Sequence, residues 1–219
     1  MTVSYAILAD IVGSRSLADR PGAQRALLDV LARASQGLDL LREPYATVGD
    51  EFQALAPTLR GALLLTLRAQ LLLPQGLELR FGIGQGEART VSDGSDGAAA
   101  PIQDGPAWWR AREAVDAAHE AQQRTGFVRT RAVLDDAEGS AVLNAMLVLR
   151  DQAVARLQER PRRMLAALLG GATQVEAAAQ EGVSQSAVSS VVRGSGAGLL
   201  EAQRLLETAV GARRKEVGA

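Results

Sequence analysis

The chain predicts an α+β fold, a βαββαβ core followed by an all-α tail, and three observations carry that prediction. Apolar or alternating runs and stretches of helical period follow one another in the order strand, helix, strand, strand, helix, strand. Within Tyr45 to Leu55, apolar and β-branched residues alternate on both sides of Gly49-Asp50, which reads as two short strands joined by a tight turn. Beyond Asp136 only helical periodicity remains, punctuated by capping residues and Gly170-Gly171.

Val3 to Ala9 is apolar enough for a fully buried strand, and it runs into Asp10-Ile11-Val12-Gly13-Ser14-Arg15. A carboxylate at the end of a buried strand is costly unless it is paired, hydrogen-bonded or bound to a metal. Capping the next helix is a poor use for Asp10, because the helical pattern begins well downstream, near Pro21. Ala23 to Gly37 then carries Ala26, Leu27, Val30, Leu31 and Ala34 on one amphipathic face. In the hairpin that follows, Gly49 supplies the permissive backbone, and Asp50 and Glu51 stand at the tip with side chains on opposite sides. Such a tip alone is ordinarily a solvated turn. Pro57 to Leu73 is the second helix, with Pro57 in its first turn, and Pro74-Gln75-Gly76 ends it.

Leu77 to Ala88 is a strand whose Gly82, Gly84 and Gly86 stand at period two. Either a helix packs closely on that face or a nucleotide lies along it. Arg89 to Pro101 reads as a flexible loop over the site. Asp104-Gly105-Pro106 starts a helix to about Gln123, with Trp108, Trp109, Arg112 and Val115 at helical spacing. Neighbours on a helix point about 100° apart, so one Trp packs inside and the other meets a ligand, a lid or a partner. His119 reads as a surface or packing residue, Gly126 to Leu134 as a closing strand, and Asp135-Asp136 as a helix cap. The order is the ferredoxin-like split βαβ plan.

Ser140 to Leu157 is a long helix linking core and tail. Arg160 to Leu169 follows, and then Thr173 with Glu176 three residues on forms a capping box. Val175 to Ser189 reads as helix–turn–helix: small Ala178 for the crossing, Gly182 for the turn, Ser184 as the second cap, Val183 and Val188 as anchors. The second helix offers Gln185, Ser186, Ser189 and Arg193, small polar and basic groups suited to the major groove of duplex DNA. Ala197 to Val210 is a further amphipathic helix able to pack on this module or build a dimer.

Composition excludes several classes. With 47% hydrophobic and 22% charged residues in 219, the chain is globular rather than disordered. There is no cysteine, so disulfides, zinc–thiolate sites and thiol catalysis are excluded. Met1 to Ala9 lacks a basic leader and the apolar runs are too short to span a bilayer, so a cytoplasmic protein with no membrane partner is expected. Residues 150 to 219 hold ten Arg or Lys against seven Asp or Glu, or +3, leaving −4 to the rest of a chain of net charge −1. That asymmetry points toward nucleic acid at the tail.

A strand-end aspartate, a Gly-Ser loop and a second aspartate on a hairpin form the layout of a two-carboxylate Mg²⁺ site. Asp10 and Asp50 would hold the metal, while Gly13, Ser14, Arg15 and Gly49 face phosphates. Asp10-Ile11-Val12-Gly13-Ser14, Val48-Gly49-Asp50-Glu51-Phe52, Leu79 to Glu87 and Asp104 to Ala114 occur in that order. Over residues 3 to 135 this set resembles the SatD family of bacterial proteins and, more distantly, the catalytic domain of class III nucleotide cyclases and GGDEF domains. The tail resembles the helix–turn–helix of sigma-factor region 4. The resemblance implies a cyclase-like domain over 1–136, a linking helix over 137–158 and a DNA-binding domain over 159–219. Cyclases place an Asn and an Arg on the helix that starts near Asp104. Arg112 corresponds to that catalytic arginine, whereas tryptophan stands where the Asn would be and no base-selecting Lys is present. The expectation is therefore a homodimeric transcriptional regulator whose N-terminal domain senses a nucleotide with Mg²⁺. The alternative is an active cyclase or nucleotidyl-transfer enzyme.

Overall fold

In the computed structural model the described residues are 3–47, 50–92 and 102–217, and the chain divides into two compact units, Met1–Ala155 and Arg156–Ala219. The first unit is mixed α and β. In chain order it runs β1 (Ser4–Ile11), α1 (Arg20–Ser35), β2 (Arg42–Ala46), β3 (Glu51–Ala56), α2 (Leu59–Leu72), β4 (Leu79–Gly86), β5 (Arg89–Ser92), β6 (Ile102–Asp104), α3 (Pro106–Thr125), β7 (Thr130–Val133) and α4 (Ala137–Ala155). Five strands form one sheet in the order β2-β3-β1-β4-β7. β1 lies at its centre, antiparallel to β3 and β4, and β7 joins β4 in parallel.

Its apolar run explains why β1 is central: Ala6 to Ala9 are all buried, as a strand covered on both faces requires. Phe52, Ala54 and Ala56 of β3 alternate with half-buried Glu51, Gln53 and Leu55, so one face of β3 is core and the other half open. α2 covers the core face, its Gly61 lying against Ala56. Residues Gly61 to Leu71 of α2 are all buried, including Arg68. The Arg68 guanidinium donates to the Gln36 (2.8 Å) and Arg33 (3.1 Å) carbonyls at the end of α1, where a cation also meets the negative end of the helix dipole.

Three elements differ from their sequence reading. The stretch expected as a loop from Arg89 begins as β5, which pairs with β6; its β-branched Thr90 and Val91 suit a strand. Residues 93–101 lie outside the described residues. α2 begins at Leu59 with Thr58 as its cap, accepting from the Gly61 amide at 3.1 Å, so Pro57 precedes the helix. α4, read as a linking helix, packs on β7 within the first unit, burying Leu143, Leu147, Arg150, Asp151 and Val154. Asp136 caps it, accepting from the Gly139 amide at 2.6 Å.

The second unit holds α5 (Glu159–Leu169), α6 (Gln174–Glu181), α7 (Gln185–Arg193) and α8 (Ala197–Val217). The Thr173–Glu176 capping box opens α6, with Glu176 accepting from the Thr173 amide at 2.7 Å. Gly182, at φ 63°, closes it in the left-handed conformation that glycine adopts most readily. Ser184 then caps α7. Met164, Ala177, Ala178 and Val188 make the core that these two short helices share with α5. No described helix is long and apolar enough to cross a membrane.

Candidate functional site

The face of the sheet opposite α2 is only partly covered. α3 lies over β1, β4 and β7, and the glycines of β4 let it come that close. A Cβ on Gly84 would meet the Ala107 carbonyl oxygen at 2.1 Å and the Ala111 nitrogen at 2.2 Å, and one on Gly82 the Ala111 carbonyl oxygen at 2.2 Å. Of the two readings for the glycine face, helix packing is the one the structure contains: Ala107, Ala111, Ala114 and Ala118 bury against it.

Beside α3, the same face of β1, β2 and β3 presents polar side chains. Asp10 stands opposite Glu51 on β3 and Arg80 on β4, and directly opposed residues point to one face. Arg80 donates to both oxygens of Asp10, through Nε at 2.9 Å and Nη2 at 2.8 Å. Its remaining Nη1 reaches Gln122 Oε1 (3.2 Å) and His119 Nδ1 on α3. An arginine only donates, so Arg80 is the donor in its contact with His119. Arg112 of α3 forms an ion pair with Glu51. Glu51 also accepts from Gln53 Nε2 (3.0 Å), and Gln53 Oε1 accepts from the Tyr45 hydroxyl (2.6 Å). Burial raises the Tyr45 pKa above its ordinary value, with Glu51 adding to the rise and Arg42 opposing it. The hydroxyl therefore remains the donor at neutral pH.

Next to this ladder a cleft of about 400 Å³ opens between Leu8, Gln53, Gln103, Trp108, Trp109 and Arg112. The two tryptophans divide as their spacing predicts. Trp108 is buried, at 6% exposure, against Ala6, Leu8 and Ala111, while Trp109 is 63% exposed. The Trp109 indole is nonetheless fixed, donating to Asp104 Oδ1 at 3.0 Å.

The expected Mg²⁺ ligands are placed differently from one another. Both Asp10 oxygens already serve Arg80, and the residue across from Asp10 is Glu51; Asp50 stands one position nearer the turn, before β3 begins. Among the described residues, no group of three or more His, Cys, Asp or Glu gathers as a metal site. A Mg²⁺ ion at Asp10 would have to displace this bidentate guanidinium. Gly13, at φ 66°, leads a 3₁₀ turn over Ser14–Ser16, in which Ser16 Oγ donates to the Gly13 carbonyl at 2.7 Å. Gly49 and the side chain of Arg15 lie outside the described residues.

The family model of SatD matches residues 4–203, from β1 into α8. The chain belongs to the SatD family. No curated protein is similar enough to it to stand as a relative.

In this SatD chain the second group of expected residues lies on α7. Gln185, Ser186 and Arg193 are exposed and Ser189 is half-buried, while Val188 turns into the core. Arg163 is held in a fork by Glu181 (Nε at 3.0 Å, Nη2 at 2.8 Å) and ties α5 to α6. Sequence reasoning named Arg112 and both tryptophans but gave no role to Tyr45, Gln53, Arg80 or Gln103. The alternation of Glu51, Gln53 and Leu55 was the available signal. It could have marked a half-open polar face without saying what lay across from it.

Proposed function

We propose that this SatD protein is a DNA-binding transcriptional regulator whose first unit, a ferredoxin-like and nucleotide-cyclase-like core, senses a nucleotide. The observation that carries the reading is α7. It is a nine-residue helix capped by Ser184 and anchored by Val188, with Gln185, Ser186 and Arg193 exposed along it. A preceding helix ended by a left-handed glycine and a three-residue turn supports a helix–turn–helix, whose second helix enters the major groove. The strand order β2-β3-β1-β4 with antiparallel neighbours supports the split βαβ core. The half-open face with its cleft, arginine and two tryptophans supports a ligand there.

Tryptophan on α3 where the cyclases carry an Asn favours binding over phosphoryl chemistry, which needs donors aimed at the developing charge. Mg²⁺ enters this reading as an ion carried in with phosphates, with Asp50 its accessible carboxylate and Asp10 available only once Arg80 moves aside. One recognition helix covers few base pairs, so a homodimer is the binding form, its half-sites about 34 Å apart or a multiple of that.

Two measurements on the full chain test the proposal. Selection from a random duplex library should enrich a two-fold symmetric sequence, and calorimetric titration should show binding of a nucleoside phosphate. Cyclic product formed from a nucleoside triphosphate, and lost in Asp10→Ala, would instead establish the cyclase alternative. No enriched DNA would leave the tail an oligomerisation element.

A further inference from the structure

We infer that the cleft beside α3 reads the base of the nucleotide and selects 6-oxopurines, guanine or hypoxanthine, over the amino bases adenine and cytosine. The inference rests on the nucleotide-sensing reading and adds to it the edge that is recognised.

Two nitrogens of the lining residues carry it. The Trp108 Nε1 and Gln103 Nε2 atoms are buried and have no hydrogen-bond partner among the described residues. A buried donor left unmade is costly and is rarely tolerated without a reason. Trp108 can only donate. The Gln103 amide has its other end in use, Oε1 accepting from Thr90 Oγ1 at 3.4 Å, so Nε2 is the part left over. Both side chains line the same cleft, and since neither nitrogen is open to solvent a ring must part the lining to reach them. The cleft's unmet demand is therefore for acceptors, and a ligand bringing donors would set N–H against N–H.

The rest of the lining decides the shape. Leu8 is an apolar floor, and the Trp109 indole is an exposed wall pinned by Asp104, so a flat ring can stack without ordering a loose side chain. Gln53 is already oriented by Tyr45 and Glu51, and its amide cannot turn to suit a donor. Arg112, at 53% side-chain exposure, holds Glu51 with part of its guanidinium and keeps further N–H groups at the rim for an anion. A planar ring with a phosphate attached meets all of these. Among the bases, guanine presents N7 and O6, acceptors only, on one edge; adenine replaces O6 by an amino donor and cytosine offers an amino donor as well. Hypoxanthine shares the N7 and O6 pair.

The test compares GMP and IMP with AMP and CMP, titrated into the full chain and followed by calorimetry and tryptophan fluorescence. GMP and IMP should bind at least about tenfold more tightly, the size of one buried donor satisfied rather than opposed. Trp108→Phe keeps an aromatic ring and removes the N–H; it should cut the IMP-to-AMP ratio to near one. Gln103→Leu, on the short β6 strand, should narrow the same ratio and covers the case in which Trp108→Phe does not fold. Trp109→Ala should weaken all four ligands alike. Equal affinities for IMP and AMP, or a ratio unmoved by Trp108→Phe and Gln103→Leu, overturn the base selection and leave nucleotide sensing standing. Binding of none of the four overturns both.

Discussion

At the scale of single residues, Asp151 is a charge whose every partner can be named. Its side chain is fully buried, and Oδ2 accepts from the Arg129 and Thr130 amides, each at 2.7 Å. Oδ1 accepts from Gln70 Nε2 at 3.1 Å, and Arg150 beside it spans to Thr66 and the Leu63 carbonyl of α2. Burial lowers the Arg150 pKa, with Asp151 opposing the shift. Breaking such a pair from one side leaves a buried charge without its counter-ion. Asp151→Ala should therefore lose about 3–5 kcal/mol of stability, read from the midpoint and slope of urea unfolding. In the sequence, Arg150-Asp151 looks like any solvated pair of charges on a helix, because nothing local says that this helix face meets Thr130. Asp10 was more legible. The cost of burying a strand-end carboxylate demanded a partner, and it took the β1–β4 register to bring Arg80 across from it.

Elements were read best where local chemistry decides them. Alternation marked β3, and caps marked α6 and α7, because a cap is a contact between residues three apart. The triple glycine of β4 was visible as an anomaly while its cause was not, since α3 is supplied from beyond Pro106. That cause makes a sharp prediction. Gly84→Ala puts a methyl group into the backbone of α3, where no side chain can rotate away. It should destabilise the first unit by about 1–3 kcal/mol or more, whereas Gly37→Ala, at φ 73° with no atom within 4 Å of the added carbon, tests backbone strain alone. Thermal unfolding of both variants separates crowding from strain: an equal loss in the two would refute the close-packed helix as the reason for the β4 glycines. The β5–β6 pair and the incorporation of α4 were missed because pairing partners and burial are decided far away in sequence.

At the scale of the whole molecule, charge separates the units more clearly than length does, with the net positive part of the chain in the helical tail. On the proposed reading, Arg193→Ala should weaken binding to every duplex alike and lower the slope of log K against log salt by about one. Gln185→Ala should instead change which sequence is preferred, by about 1–3 kcal/mol at one base pair. Filter binding at several salt concentrations, on matched and scrambled duplexes, distinguishes a phosphate contact from a base contact.

The position of β1 has a kinetic side. The strand earliest in the first unit is also the middle of its sheet, and its partners arrive only with β3 and β4; Ser4 waits for Gly86, 82 residues on. Until then a buried-type strand, apolar on both faces, has two open edges, the state in which strands find partners in other chains. The second unit has no such delay, because each of its helices packs on near neighbours in sequence. A refolding chain thus forms its tail before its sheet is complete, and the sheet is where a concentrated solution puts this protein at risk of aggregation.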